Sequence, residues 1–344
     1  MSVATGKTAV LIYAIAILAM PVLSPMSHSY AETGQPAGTP FYFIAVHNEP
    51  YHFPGGRQEL ERAYVVLQGM IERANEHDIR LTLMFAAQSA DYIAERPERM
   101  AALESWKRQG HEIAAHHHGI YHGNWDGYTD YSKEEAEAQR MRQGKIPEPY
   151  LGTLADYIER LKKINPTVRS GCLNDEQDKR ELPGEILYDT CSGFANFGEP
   201  GRRVADAATP EKGRNEYVTV GMWNSIERKW LAHYQITTYQ RQDLARTAFD
   251  SMDSGVYGAV THSVQEQAEA YYHFLEFLHS RDPTGEKSRT VSEIVEQELL
   301  PEKTLPDELL VTESALPMLV SAVALTVTLL RLKRRKGTPQ KAVS

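Results

Sequence analysis

Four histidines stand within seven residues: His116, His117, His118 and His122, with Asn124-Trp125-Asp126-Gly127 close behind. Imidazole suits borderline divalent ions, so this density points to a bound metal, with Zn²⁺ the expected ion. In an extended strand alternate side chains share a face, which sets His116 and His118 on one side and His117 on the other. His122 follows His118 by four residues, so a helical turn or a tight loop brings it back to the same ion. A second group, His47-Asn48-Glu49-Pro50, adds a carboxylate in Glu49. A third apolar run, Gly258-Ala259-Val260-Thr261, ends in His262. The expected metal ligands are Glu49, His116, His118 and His122. His52, His77, His111, His233, His273 and His279 read as ordinary structural or surface histidines.

These groups need a scaffold that brings them together, and the hydrophobic pattern supplies one. Short apolar runs at Phe41–Val46, Leu81–Phe85, His111–His116 and Val256–Thr261 read as strands, with weaker candidates at Val168–Ser170, Ile186–Tyr188 and Tyr217–Met222. Between them lie amphipathic segments at helical spacing: Gln58–Glu76, Arg96–Gln109, Leu154–Ile164, Val264–His279 and Thr290–Leu300. Ser132-Lys133-Glu134-Glu135 has capping-box spacing and opens a further helix to about Gln143. Alternating strands and helices favour a parallel α/β sheet or barrel, in which functional residues gather at the strands' C-terminal ends. The histidine cluster, Glu49 and His262 all follow strands.

The chain has 344 residues and a net charge of −9. The charge is uneven: residues 1–31 carry only Lys7, whereas residues 314–344 carry six basic residues and no acid. The segment between is thus more acidic than the whole, which argues against a nucleic-acid partner. Residues 1–31 have the basic start, apolar heart and small-x-small end of a signal peptide, and 32–40 read as a linker. Residues 41–300 form the expected catalytic body, followed by a linker at 301–313. Ser314–Leu330 is uncharged and largely aliphatic, and a basic cluster follows it at once. Residues 314–332 are therefore expected to span a membrane once, with the tail 333–344 cytoplasmic and the body outside. Cys172 and Cys191 are the two cysteines. In an exported body such a pair is expected to form a disulfide, closing a loop of about 20 residues worth ~3 kcal/mol.

The run Gly110-His111-Glu112-Ile113-Ala114-Ala115-His116 resembles the third-strand motif of NodB-type polysaccharide deacetylases (carbohydrate esterase family 4). Val46–Pro50 occupies the place of that family's first acidic motif. Arg169-Ser170-Gly171 resembles its arginine motif, Val260-Thr261-His262 its late strand with a catalytic histidine, and Thr290–Ile294 its closing helix. The resemblance covers residues 41–300. It implies a distorted (β/α)₇ barrel holding one divalent ion, and removal of N- or O-linked acetyl groups from a glycan such as a cell-envelope polysaccharide. His262 would act as general acid, and Arg169 would orient the base. Where the family has two adjacent aspartates this chain has His47-Asn48-Glu49, so Glu49 takes the ligand's place. Asn48 cannot serve as base, and His47, which shares strand parity with Glu49, is the candidate substitute. The altered motif equally suits a carbohydrate-binding surface protein built on an inactive scaffold of this type.

Overall fold

Phe41–Asn48 (β1) is buried on both faces almost throughout, as expected of a strand inside a parallel sheet covered on both sides. The computed structural model describes residues 38–51, 55–145, 149–174, 182–191, 209–223 and 225–304. The chain divides into two units, Met1–Pro36 and Ala37–Ser344, and the first lies wholly outside the described residues. So do the expected signal peptide (1–31), membrane span (314–332) and basic tail (333–344). Among the described residues, no helix is long and apolar enough to cross a membrane.

The further strands are β2 (Leu81–Phe85), β3 (Glu112–His118), β4 (Ser170–Asn174), β5 (Tyr188–Asp189), β6 (Arg214–Asn215), β7 (Val218–Trp223), β8 (Ile226–Trp230), β9 (Tyr234–Gln235), β10 (Val256–His262) and β11 (Glu302–Thr304). The helices are α1 (Gly56–Asn75), α2 (Ala87–Ala94), α3 (Pro97–Arg108), α4 (Lys133–Arg142), α5 (Leu154–Lys162), α6 (Tyr239–Asp250), α7 (Gln265–Arg281) and α8 (Val291–Glu296). The sheet runs β11-β7-β8-β5-β4-β3-β2-β1-β10-β6. Every pairing from β8 to β10 along this path is parallel. The far side of β10 is shared, with β6 antiparallel to its start and β9 parallel to its end.

Two packed layers follow from strand alternation. Tyr42, Ile44 and Val46 of β1 face outward into a cluster with Leu67, Met70 and Ile71 of α1 and Tyr271, Phe274 and Leu275 of α7. Phe43 and Ala45 face inward to Met84, Ala114, Cys172 and Val260. Each large side chain so buried contributes about 1.5–3 kcal/mol. The inward row of β3 is Glu112, Ala114, His116 and His118, so one strand carries a carboxylate at its start and two imidazoles at its end. The capping box expected at Ser132 forms with Glu135, and Thr153 with Asp156 and Thr290 with Glu293 form two more.

The scaffold departs from expectation in several ways, the unforeseen α2 and β8 among them. The sheet is curled but not closed by hydrogen bonds among the described residues, because β9 pairs with β10 and not with β8. The seven-stranded barrel is thus an open half-barrel. The sheet also extends past residue 300 into the expected linker, where β11 adds parallel to β7. Finally, α6 was not foreseen: its buried face is Gln242, Ala245, Ala248 and Phe249, too small and too polar to stand out as an apolar stripe. The disulfide between Cys172 and Cys191 is present.

Candidate metal centre

Glu49 follows β1 and sits at the focus of three imidazoles. His116 Nε2 is 3.3 Å from one of its oxygens, His118 Nε2 is 3.6 Å from the other, and His262 Nε2 is 3.7 Å from the first. The sheet makes this convergence. His47 lies level with His262 in the β1–β10 register, and β2 joins β1 to β3.

The tautomers follow from the opposite edges of the rings, where each Nδ1 meets an oxygen that can only accept. His116 Nδ1 donates to the Cys172 carbonyl at 3.2 Å, His118 Nδ1 to the Asn124 carbonyl at 2.8 Å, and His262 Nδ1 to Gln267 Oε1 at 3.0 Å. In the neutral ring each Nε2 is then a lone pair, and all three lone pairs face a carboxylate. Burial drives His118 and His262 below the usual histidine range, although the Glu49 carboxylate opposes the shift. Burial also disfavours the Glu49 anion; where His118, His116 and His262 are protonated, their charge and the His116 N–H outweigh it and hold Glu49 well below the usual carboxylate range, and with the rings neutral a cation has to supply that stabilisation instead. Lone pairs and an anion with no donor between them are the donor set of a cation.

His47 completes the set. Its ring stacks on His116 at 4.0 Å between centroids and stands edge-on to His262 at 5.2 Å. Its Nε2 is buried and has no hydrogen-bond partner. Burial, and then the surrounding histidines, hold its pKa well below the usual range, so the ring is neutral. His47, Glu49 and His116 each offer a ligand atom within 4.8 Å of the other two. A buried, unpartnered imidazole nitrogen is a ready ligand atom, which suits His47 to the ligand role as well as to the base role expected of it.

The other expected site residues fall elsewhere. His122 stacks on His118 at 3.8 Å, but its Nδ1 accepts the Asn124 N–H at 3.1 Å. In the neutral ring Nε2 then carries the proton, so His122 presents a donor at the rim and not a lone pair. Asn48 donates to the Met84 carbonyl at 3.0 Å and the Val46 carbonyl at 3.3 Å and is tied into the sheet. Arg169 does not join the site at all. It precedes β4, at the opposite end of the strands, and bonds Glu296 at 3.0 Å on the surface.

Several residues that were not singled out hold the centre in place. Asn124 receives His118 on its carbonyl and donates from its side chain to Glu49 at 3.4 Å. Asp126, wholly buried, accepts from His117 Nδ1 at 2.8 Å and from the His118 N–H at 3.3 Å, so the outward histidine of β3 fixes the strand end. Arg140 of α4, also buried, donates to the carbonyls of Ile120, His122 and Gly123 and packs over Trp125. The rim loop is thus clamped from below. The run Asn124–Gly127 was visible behind the histidines, but its backbone-directed role was not.

No family model matches the chain, and no curated protein matches it by sequence. The resemblance to polysaccharide deacetylases does extend to solved structures. A probable polysaccharide deacetylase from Pseudomonas aeruginosa aligns over 73% of this chain and 91% of its own, at 10% identity and a TM-score of 0.43. An allantoinase aligns over 71% and 86%, at 11% identity and 0.46. A 4-alpha-glucanotransferase from Thermococcus litoralis aligns over 78% of this chain, at 14% identity and 0.47, and this chain spans only 42% of its length. Similarity at this level concerns the path of the chain, and the chemistry has to be read from the side chains.

Proposed function

We propose that the protein is a metal-dependent hydrolase that removes acetyl groups from an acetylated glycan, with His47, Glu49 and His116 holding a divalent ion, zinc by preference. The observation that carries this reading is the convergence of three imidazole Nε2 atoms, each with its Nδ1 held on an oxygen, on one buried carboxylate. An ion held there would polarise a carbonyl oxygen and acidify a water. His118, with Nδ1 anchored on Asn124, presents the Nε2 lone pair 3.6 Å from the carboxylate's second oxygen, as a further acceptor at the edge of the site. His262, with Nδ1 anchored on Gln267, takes up the water's proton at Nε2 and returns it to the leaving nitrogen or oxygen, so one imidazole serves as base and then as acid. This accounts for a site without the aspartate base that the sequence resemblance implies. The substrate class rests on that resemblance, whereas the surface tethering rests on residues 1–31 acting as an export signal and on 314–332 crossing the membrane.

The test is acetate release by the purified full-length protein from acetylated chitin, xylan and peptidoglycan fragments, with and without zinc after chelation. Zinc-restored release, lowered ~10²–10⁴-fold in His262→Ala with metal content unchanged, supports the reading. Retention of a glycan without any metal-dependent release would replace it with the binding-protein reading.

A further inference from the structure

Next to the candidate centre lies a second cluster that shares only His47 with it. His47, His233, Cys172 and Cys191 each offer a ligand atom within 4.8 Å of the others. His233 Nε2 is 3.8 Å from Cys191 Sγ, and the His47 and His233 rings meet edge-on at 5.8 Å. His233 is 6% exposed and His47 4%, and Cys172 is fully buried. Nε2 of His47 has no hydrogen-bond partner, and Nε2 of His233, whose Nδ1 is also unpartnered, faces the disulfide sulfur of Cys191. An unpaired buried polar atom costs about 1–3 kcal/mol, and a disulfide, a weak acceptor with no proton to give, repays little of that cost.

We propose that reduction of the Cys172–Cys191 bond turns this cluster into a second metal site, of Cys₂His₂ type, for a thiophilic ion such as Zn²⁺. The reductant is a dithiol, either a small molecule or a protein. Its thiolate attacks Sγ of the partly exposed Cys191, expelling the Cys172 thiolate. Its second thiol then displaces Cys191, leaving two cysteine thiols and the oxidised dithiol. On binding the ion the two thiols lose their two protons to solvent, and two thiolates and two neutral imidazoles surround it. Bond lengths of about 2.3 Å to sulfur and 2.0–2.1 Å to nitrogen imply ligand atoms about 3.3–3.8 Å apart, so the sulfurs separate, while His233 Nε2 already lies 3.8 Å from Cys191 Sγ. His47 belongs to both clusters and cannot serve two ions, so reduction also withdraws a ligand from the Glu49 centre. Cys172 has a further link to that centre, because its carbonyl fixes the tautomer of His116.

The experiment is a cobalt titration of the full-length protein, oxidised and then reduced with a phosphine, followed by absorption and near-ultraviolet circular dichroism. The reduced protein should show a thiolate-to-cobalt charge-transfer band and intense tetrahedral d–d bands at one ion per chain, and zinc should displace both. The oxidised protein should show no sulfur band. Glu49→Gln should leave the sulfur band in place, which separates this site from the hydrolytic centre. His233→Asn, which keeps a polar side chain, should weaken cobalt binding in the reduced protein at least tenfold. Absence of the sulfur band in reduced wild type, an unchanged His233→Asn titration, or loss of the native dichroism on reduction in the presence of cobalt would each overturn the proposal.

Discussion

The two ends of β3 are built from the same residue types to opposite effect. At its start, His111 Nδ1 accepts the Leu81 N–H and Nε2 meets Asn75 Oδ1, both at 3.0 Å. Glu112 next to it accepts from Thr82 and Ser170 and from the amide and hydroxyl of Ser292. Each ring nitrogen of His111 and each oxygen of Glu112 has a protein partner, and the result is a dock for the first turn of α8. At the other end, His116 and His118 each use one nitrogen on a carbonyl and turn the second toward a carboxylate that is itself an acceptor. A histidine beside a glutamate therefore says little until its hydrogen bonds are followed to their ends. Satisfied groups hold the fold together, and converging unsatisfied lone pairs await a ligand.

The largest effect should come from the unsatisfied end. Zinc sites of four protein ligands bind with about 10–16 kcal/mol, so one ligand is worth about 3–4 kcal/mol. Glu49→Gln should lower zinc affinity ~10²–10³-fold in a calorimetric titration while leaving the urea midpoint of the metal-free protein unchanged or raised. Undiminished zinc binding would mean that the lone pairs at this end serve something other than an ion.

The satisfied end should answer in stability instead. Glu112→Ala removes the acceptor shared by Thr82, Ser170 and Ser292 and strands buried donors, at about 3–4 kcal/mol in urea denaturation, with zinc binding retained. His111 next to it should show its role through pH. Burial lowers its pKa to about 4 from the ordinary 6.5, and protonating Nδ1 would break the bond from Leu81. The unfolded chain binds that proton more readily. The contribution is therefore whole above pH 6.5, is lost as pH falls toward 4, and amounts to about 3 kcal/mol. Because burial also lowers other histidines, the measure is the difference between wild type and His111→Asn, both zinc-loaded. The variant's stability should fall less steeply between pH 6.5 and 4. Parallel curves would show that burial does not hold His111 neutral.

Much of this contrast was legible in the sequence, because it rests on strand parity. A period of two places His116 and His118 together, sends His117 outward, and puts functional residues after apolar runs, and Glu49 and His262 follow from the same rule. What stayed hidden depended on contacts far apart in the chain. His233 follows β8, whose Glu227-Arg228-Lys229 gives no apolar run to mark a strand end, so it looked ordinary. The bond from Asn124 to His122 that removes a lone pair, and the clamp of Arg140 on the rim loop, run through backbone atoms that side-chain patterns do not reveal. His47 could be placed by parity, but its stacking on His116, which sets it beside Glu49 as a candidate ligand, comes from the closeness of β1 and β3 across β2.

Arg169 offers the smallest and sharpest test. Its motif suggests a catalytic partner, whereas its position assigns it to the satisfied end: the pairing of Ala115 with Gly171 sets Arg169 level with Ile113, near the start of β3. Its guanidinium meets Glu296, and the two side chains are 49% and 48% exposed. Ion pairs in that setting contribute at most about 1 kcal/mol, because water screens the charges and ordering two long side chains costs entropy. Arg169→Ala should therefore leave kcat/KM within about twofold of wild type, zinc affinity unchanged and stability lowered by no more than ~1 kcal/mol. A drop in kcat/KM on the order of 10²-fold, with the fold and zinc content intact, would show that the dock beneath the strands is coupled to the centre above them, and the division between the two ends of β3 would have to be given up.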